Sequence, residues 1–192
     1  MKIKLLPIFL IILLAFVSGA AIAAYQIAFW DKKAATFING NWMGNKKINA
    51  GDDKLLAARI AVAALFALDP SEAVYLVADT DENGDPLSSA HNYQITGDAT
   101  NLDARYWSIV LYGSDYFLVP NEADVFSYNK YTTKLEADSS FTINISSDKA
   151  EGNWLPSGKE EQFYLALRLY HASPKLIKNI EQVELPVIKK IK

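Results

Sequence analysis

The rhythm of apolar and polar positions changes twice along the chain. From Leu5 to Trp30 no residue is charged, and Lys2 and Lys4 precede the run. A short basic start thus leads into an apolar stretch long enough, at ~1.5 Å per residue, to cross a ~30 Å hydrocarbon core. Residues 31–52, DKKAATFINGNWMGNKKINAGD, carry isolated aromatics without a period and read as a tether. Asp53 to Ala67, DKLLAARIAVAALFA, combines strong helix formers with an acidic start, and Pro70 stops it. Its Leu55, Leu56, Ile60, Val62, Leu65 and Phe66 surround most of the cylinder, which predicts a helix buried against other structure.

Beyond Glu72 the spacing turns to alternation. EAVYLVADT (72–80) sets Val74, Leu76 and Ala78 against Tyr75, Val77 and Asp79. Asn83-Gly84 is a hairpin signal, because both residues tolerate positive φ, and SAHNYQIT (89–96) is the expected returning strand. Further strands are predicted at 105–113, 141–146, 161–170 and 182–188. Short alternating strands separated by Gly, Pro, Asp and Asn, with no crossover helices between them, predict a mainly β fold. The expectation is an antiparallel β-sandwich, jelly-roll-like, with one main helix packed on it and an N-terminal membrane helix. The divisions are a leader at 1–30, a tether at 31–52 and a β-sandwich domain at 53–192.

Period-two geometry also sorts the two faces of the longest strands. In FYLALRLY, Phe163, Leu165, Leu167 and Leu169 point one way and Tyr164, Ala166, Arg168 and Tyr170 the other. In RYWSIVLY the apolar set is Trp107, Ile109 and Leu111, opposed by Tyr106, Ser108, Val110 and Tyr112. If one sheet holds both strands, its second face carries Tyr106, Tyr112, Tyr164, Arg168 and Tyr170. Tyrosine offers a flat apolar plate and a hydroxyl, which suits a carbohydrate, an aromatic compound or an anionic polymer. Tyrosines are also good strand formers on solvated sheets, so cross-strand packing is the competing explanation. NWLP (153–156) and LVPN (118–121) read as turns, with Trp154 plugging the end of the core and Asn121 and Asn153 as candidates for a pocket mouth.

The leader admits two fates. Ala21 and Ala23 form a small-x-small pattern suited to cleavage before Ala24, which would give a periplasmic or secreted product. The run is longer than the ~7–15 apolar residues usual in a signal peptide, so an uncleaved anchor is preferred. Lys2 and Lys4 would stay cytoplasmic, giving a single-pass inner-membrane protein with its domain on the periplasmic side.

Composition removes several classes. The net charge is -3 and grows more negative without the leader lysines, which argues against nucleic acid as a partner. There is no cysteine, hence no disulfide, thiol nucleophile or zinc-thiolate site. His91 and His171 are the only histidines and lack partners at ligand spacing. DTDENGD (79–85) lacks the closing Glu of a calcium loop, since Ala90 or Asn92 stands there, and reads as an acidic hairpin. No nucleophile elbow, P-loop or dinucleotide fingerprint is present, so no cofactor, metal or catalytic residue is assigned.

Five motifs in order, SEAVYLVADTDENGDPL, YWSIVLYGSDYFLVPN, FTINIS, GNWLPSG and FYLALRLY, resemble the bacterial family known as domain of unknown function 1214 over roughly residues 54–189. The resemblance implies an all-β, jelly-roll-like domain, here in a short form behind a membrane segment. LRLYHASP departs from it, because members often place Pro closer behind the Tyr. The family supplies no catalytic residues to transfer. The leading expectation is therefore an envelope module that binds a glycan, a lipid-like molecule or a protein through the Tyr/Arg face. A periplasmic hydrolase using carboxylates and tyrosines is the second reading, and a purely structural protein the third.

Overall fold

The computed structural model describes residues 5–28, 37–45, 54–63, 68–69 and 71–191. The chain divides into two units, Met1–Ala34 with Ala50–Ala67 and Ala35–Asn49 with Leu68–Lys192. The first holds α1 (Leu5–Ala28) and α2 (Lys54–Ala63). Within α1, Leu6–Ile27 is apolar and long enough to cross a membrane, and none of that stretch is buried within the protein. In the same unit, Arg59 Nε of α2 donates to the Gln26 carbonyl at 2.9 Å. The burial expected for α2 is not seen: Leu55, Leu56 and Ile60 are half-buried and Val62 is 59% exposed. Leu65 and Phe66 lie outside the described residues.

The second unit is mainly β. Strands β1 (Phe37–Asn39), β2 (Trp42–Gly44), β3 (Ala73–Ala78), β4 (Tyr93–Asp98) and β5 (Ala104–Gly113) come first. Then follow β6 (Ser127–Asn129), β7 (Ser140–Ser146), β8 (Asn153–Pro156), β9 (Phe163–Ala172), the short helix α3 (Pro174–Asn179) and β10 (Val187–Lys190). They form a six-stranded sheet in the order β1-β2-β3-β9-β5-β6 and a four-stranded sheet in the order β10-β4-β7-β8. All described pairs are antiparallel except β7 with β8. The apolar alternation explains the core. Leu76, Trp107, Ile109, Leu165 and Leu167 from the larger sheet share one buried cluster with Tyr93, Ile95, Phe141, Ile143 and Ile145 from the smaller. Trp107 and Phe141 stack across it at 5.4 Å.

Three segments differ from the sequence expectation. β3 and 89–96 do not form a hairpin, because β4 belongs to the other sheet and only the Thr80–Pro86 bridge continues the ladder. Pro86 has no N–H to extend pairing, and the Asp81 carboxylate takes the N–H groups of Asn83 and Asp85 at 2.9 and 3.1 Å. Leu87, fully buried, then carries the chain through the core. The segment read as a tether contributes β1 and β2, with Phe37 and Trp42 buried and the Trp42 indole N–H donating to the Pro186 carbonyl at 2.6 Å. NWLP is a strand rather than a turn, paired in parallel with β7. Within it Leu155 enters the core, whereas Trp154 is half-buried and gives its indole N–H to Ser146.

Candidate functional site

β5 and β9 are paired along nearly their whole length, which decides whether the second faces meet. The partners are Tyr106 with Tyr170, Ser108 with Arg168, Val110 with Ala166 and Tyr112 with Tyr164. Facing residues in an antiparallel pair project to the same side, so these eight side chains form one surface away from the core. β3 extends it on one flank with Tyr75 beside Arg168, and β6 on the other with Ser127 beside Val110.

The tyrosines gather into two groups. At one end Tyr170 meets Tyr106 at 5.7 Å and the edge of Tyr75 at 6.3 Å, and Tyr131 lies 5.9 Å from Tyr106. At the other, Tyr112 and Tyr164 stack at 5.3 Å with 17° between planes, and Tyr116 approaches Tyr164 edge-on at 5.9 Å. Arg168 stands between the groups. Its guanidinium donates to the Tyr112 hydroxyl and lies 5.5 Å from the Tyr112 ring centroid. It is half-buried, and no carboxylate of the described residues is ion-paired with it.

Over this surface lies an open groove of about 580 Å³. Arg168, Ser108, Tyr106, Tyr112 and Tyr170 line it together with Ser127, and Val110, Leu118 and Phe126 supply an apolar side. Burial pushes the Tyr164 phenol far above its usual range, with further upward pressure from Tyr112 and Tyr116 that Arg168 only partly offsets. Tyr75 is raised for the same first reason, opposed by the Leu68 N–H that its hydroxyl accepts. These phenols are neutral hydrogen-bonding groups at physiological pH.

Of the residues proposed from sequence, Tyr106, Tyr112, Arg168 and Tyr170 line the groove, and Tyr164 supports Tyr112 from beside it. Asn121 and Asn153 are placed elsewhere. Asn121 clamps its own loop, donating to the Val119 and Val125 carbonyls and accepting from the Val125 N–H. Asn153 is buried and brackets Lys134 through both its N–H and its carbonyl, with a third bond to the Thr142 carbonyl. Both amides are satisfied by backbone, and neither is among the groove-lining residues. The groove residues that sequence reasoning did not assign are Ser108, Val110, Leu118, Phe126 and Ser127. Ser108 and Val110 share the tyrosines' alternation and were legible as the same face; the other three reach it through a loop and a three-residue strand that carry no period.

A second concavity, about 560 Å³, lies between the β1–β2 turn and the segment before β10. Its amide Asn39 is engaged, donating to the Ile180 and Val183 carbonyls. Among the described residues no three His, Cys, Asp or Glu side chains are grouped so as to hold a metal ion.

A family described as protein of unknown function (DUF1214) matches residues 72–174. The crystal structure of the VPA0106 protein from Vibrio parahaemolyticus is similar to the chain with a TM-score of 0.58 at 24% identity, covering 91% of this chain and 43% of that one. That likeness shows the fold. An uncharacterised protein from Burkholderia cenocepacia aligns at a TM-score of 0.47 and 14% identity over 92% of this chain and 49% of that one. The chain spans less than half the length of either. No curated protein matches it.

Proposed function

The chain belongs to the DUF1214 family of proteins of unknown function, and from that premise we propose that it is a membrane-tethered binding module whose Tyr/Arg groove takes an anionic ligand. The observation that carries this reading is Arg168. A partly desolvated guanidinium is costly to hold without a counter-charge, and here its protein partner is the Tyr112 hydroxyl rather than a carboxylate. An anion in the groove supplies the missing charge through bidentate hydrogen bonds, while the flanking rings bracket its body. Among the described residues no carboxylate lines the groove, which favours binding over carboxylate-assisted hydrolysis.

The tether is α1. Its exposed apolar residues suit lipid rather than water, and Lys2 and Lys4 at its start favour an inner-membrane orientation with the β unit in the periplasm.

The test is a thermal-shift and calorimetric screen of the full chain in nanodiscs against carboxylates and phosphates, each paired with a neutral isostere. A ligand at ~100 times its dissociation constant stabilises by about 2.7 kcal/mol, enough to move the midpoint by several degrees. Anions are expected to bind at least about tenfold more tightly than their neutral isosteres, with the difference lost in Arg168→Gln and largely kept in Arg168→Lys. Equal binding of both members of every pair would overturn the reading.

A further inference from the structure

Resting on the anion-binding reading of the groove, we propose that its ligand is a single-chain amphiphile, a long-chain carboxylate, drawn from the bilayer that holds α1. The groove is divided in the way such a molecule is. Arg168 and Ser108 face each other near the middle of its floor, and Val110, Leu118 and Phe126 give an apolar side toward Tyr112. A carboxylate head satisfies the guanidinium, and the acyl chain covers surface that a sugar or a free inorganic anion leaves wet. Its volume, about 580 Å³, falls in the ~300–1,000 Å³ range of small-ligand sites.

The rim points to the source. Tyr116 and Leu118 are each 43% exposed and Phe117 is 73% exposed, so three consecutive large side chains stand out beside the groove. They are held there rather than left loose. The Asp115 carboxylate accepts the Phe117 N–H at 3.0 Å, the Gly113 N–H donates to the Phe117 carbonyl at 2.9 Å, and Tyr116 takes a positive φ of 69°. A fixed apolar lip next to a tail-sized groove fits lipid, and the covalent tether keeps lipid near. From Ile27, where the apolar span ends, to Phe37, where β1 begins, a fully extended chain reaches at most about 35 Å.

The experiment uses the full chain in phosphatidylcholine nanodiscs, with straight-chain carboxylates of four to sixteen carbons and hexadecanol competing against a fluorescent sixteen-carbon carboxylate. Empty nanodiscs correct for partition into the bilayer. Affinity is expected to rise by up to about fourfold per methylene until the apolar side is filled. Hexadecanol should be at least about tenfold weaker than the matching acid. Arg168→Gln should erase the acid-over-alcohol preference, and Arg168→Lys should keep most of it. Phe126→Ser, folded by circular dichroism, should flatten the chain-length slope, with a loss that grows from butyrate to the sixteen-carbon acid. Carboxylates that bind without any chain-length dependence would overturn the amphiphile but leave the anion site standing. If acid and alcohol bind equally and Arg168→Gln changes nothing, both the amphiphile and the anion reading fail.

Discussion

Tyr112 serves Arg168 in two ways, and a single substitution separates them. Its hydroxyl accepts from the guanidinium, and its ring lies under it while stacking on Tyr164. Tyr112→Phe keeps the ring and removes the acceptor, so urea denaturation should show a loss of only about 0.5–1.5 kcal/mol. Asn153→Ala is predicted to cost more, about 2–4 kcal/mol by the same measurement. It strands the Lys134 N–H and two carbonyls around a buried position, where unpaired groups bear their full desolvation penalty. A conspicuous Asn at the head of NWLP thus marks a structural bracket, and nothing in the sequence distinguishes it from a pocket amide. The phenols predict a pH dependence as well. Tyr164, Tyr75 and Tyr93 are raised above 10 in the folded chain, first by burial. The fold favours the protonated form of each, so this contribution is fully present below about pH 10 and is lost as pH rises further and the unfolded chain ionises. Urea midpoints measured from pH 9 to 11 should fall, and the fall should be smaller in Tyr164→Phe.

At the scale of elements, what could be read was whatever carried a period. β5 and β9 are ten residues each, long enough for strict alternation to separate the buried Trp107, Ile109, Leu165 and Leu167 from the tyrosines and Arg168. The Tyr/Arg face was therefore legible before any pairing was known. β1, β2 and β6 have three residues apiece and β8 four, too few to show a rhythm, and their place is fixed by partners distant in sequence. Most of the groove's apolar side was hidden for the same reason, since Phe126 and Leu118, unlike Val110, come to it only through the fold. The edge hairpin β1–β2 is testable through Gly44. An added Cβ there would stand 2.5 and 2.8 Å from two ring atoms of Phe37 and 3.1 Å from the Tyr75 carbonyl. Gly44→Ala should thus push Phe37 from its buried seat at a cost of about 1–3 kcal/mol. Hydrogen exchange should report the loss in residues 37–44 and leave β5 and β9 protected.

For the whole molecule, the decisive question is what surrounds α1. Its Leu6, Phe9, Ile11, Leu14 and Phe16 are all largely exposed, and none of the apolar stretch Leu6–Ile27 is buried among the described residues. Left in water, that surface would cost about 25 cal/mol for each Å² of apolar area, so the helix needs lipid or removal. A span of this length satisfies its backbone internally and requires no partner helix to cross. Retention is expected: the chain should stay with membranes through alkaline carbonate extraction and keep the sequence before Ala24. Protease added to spheroplasts should digest the β unit, because Lys2 and Lys4 favour the cytoplasmic side for the N-terminus. A soluble product beginning at Ala24 would overturn the anchor. It would also strip the groove of its nearby lipid, since no covalent tether would then confine the β unit to the bilayer. The amphiphile proposal would lose its source, while the charge argument at Arg168 would be untouched.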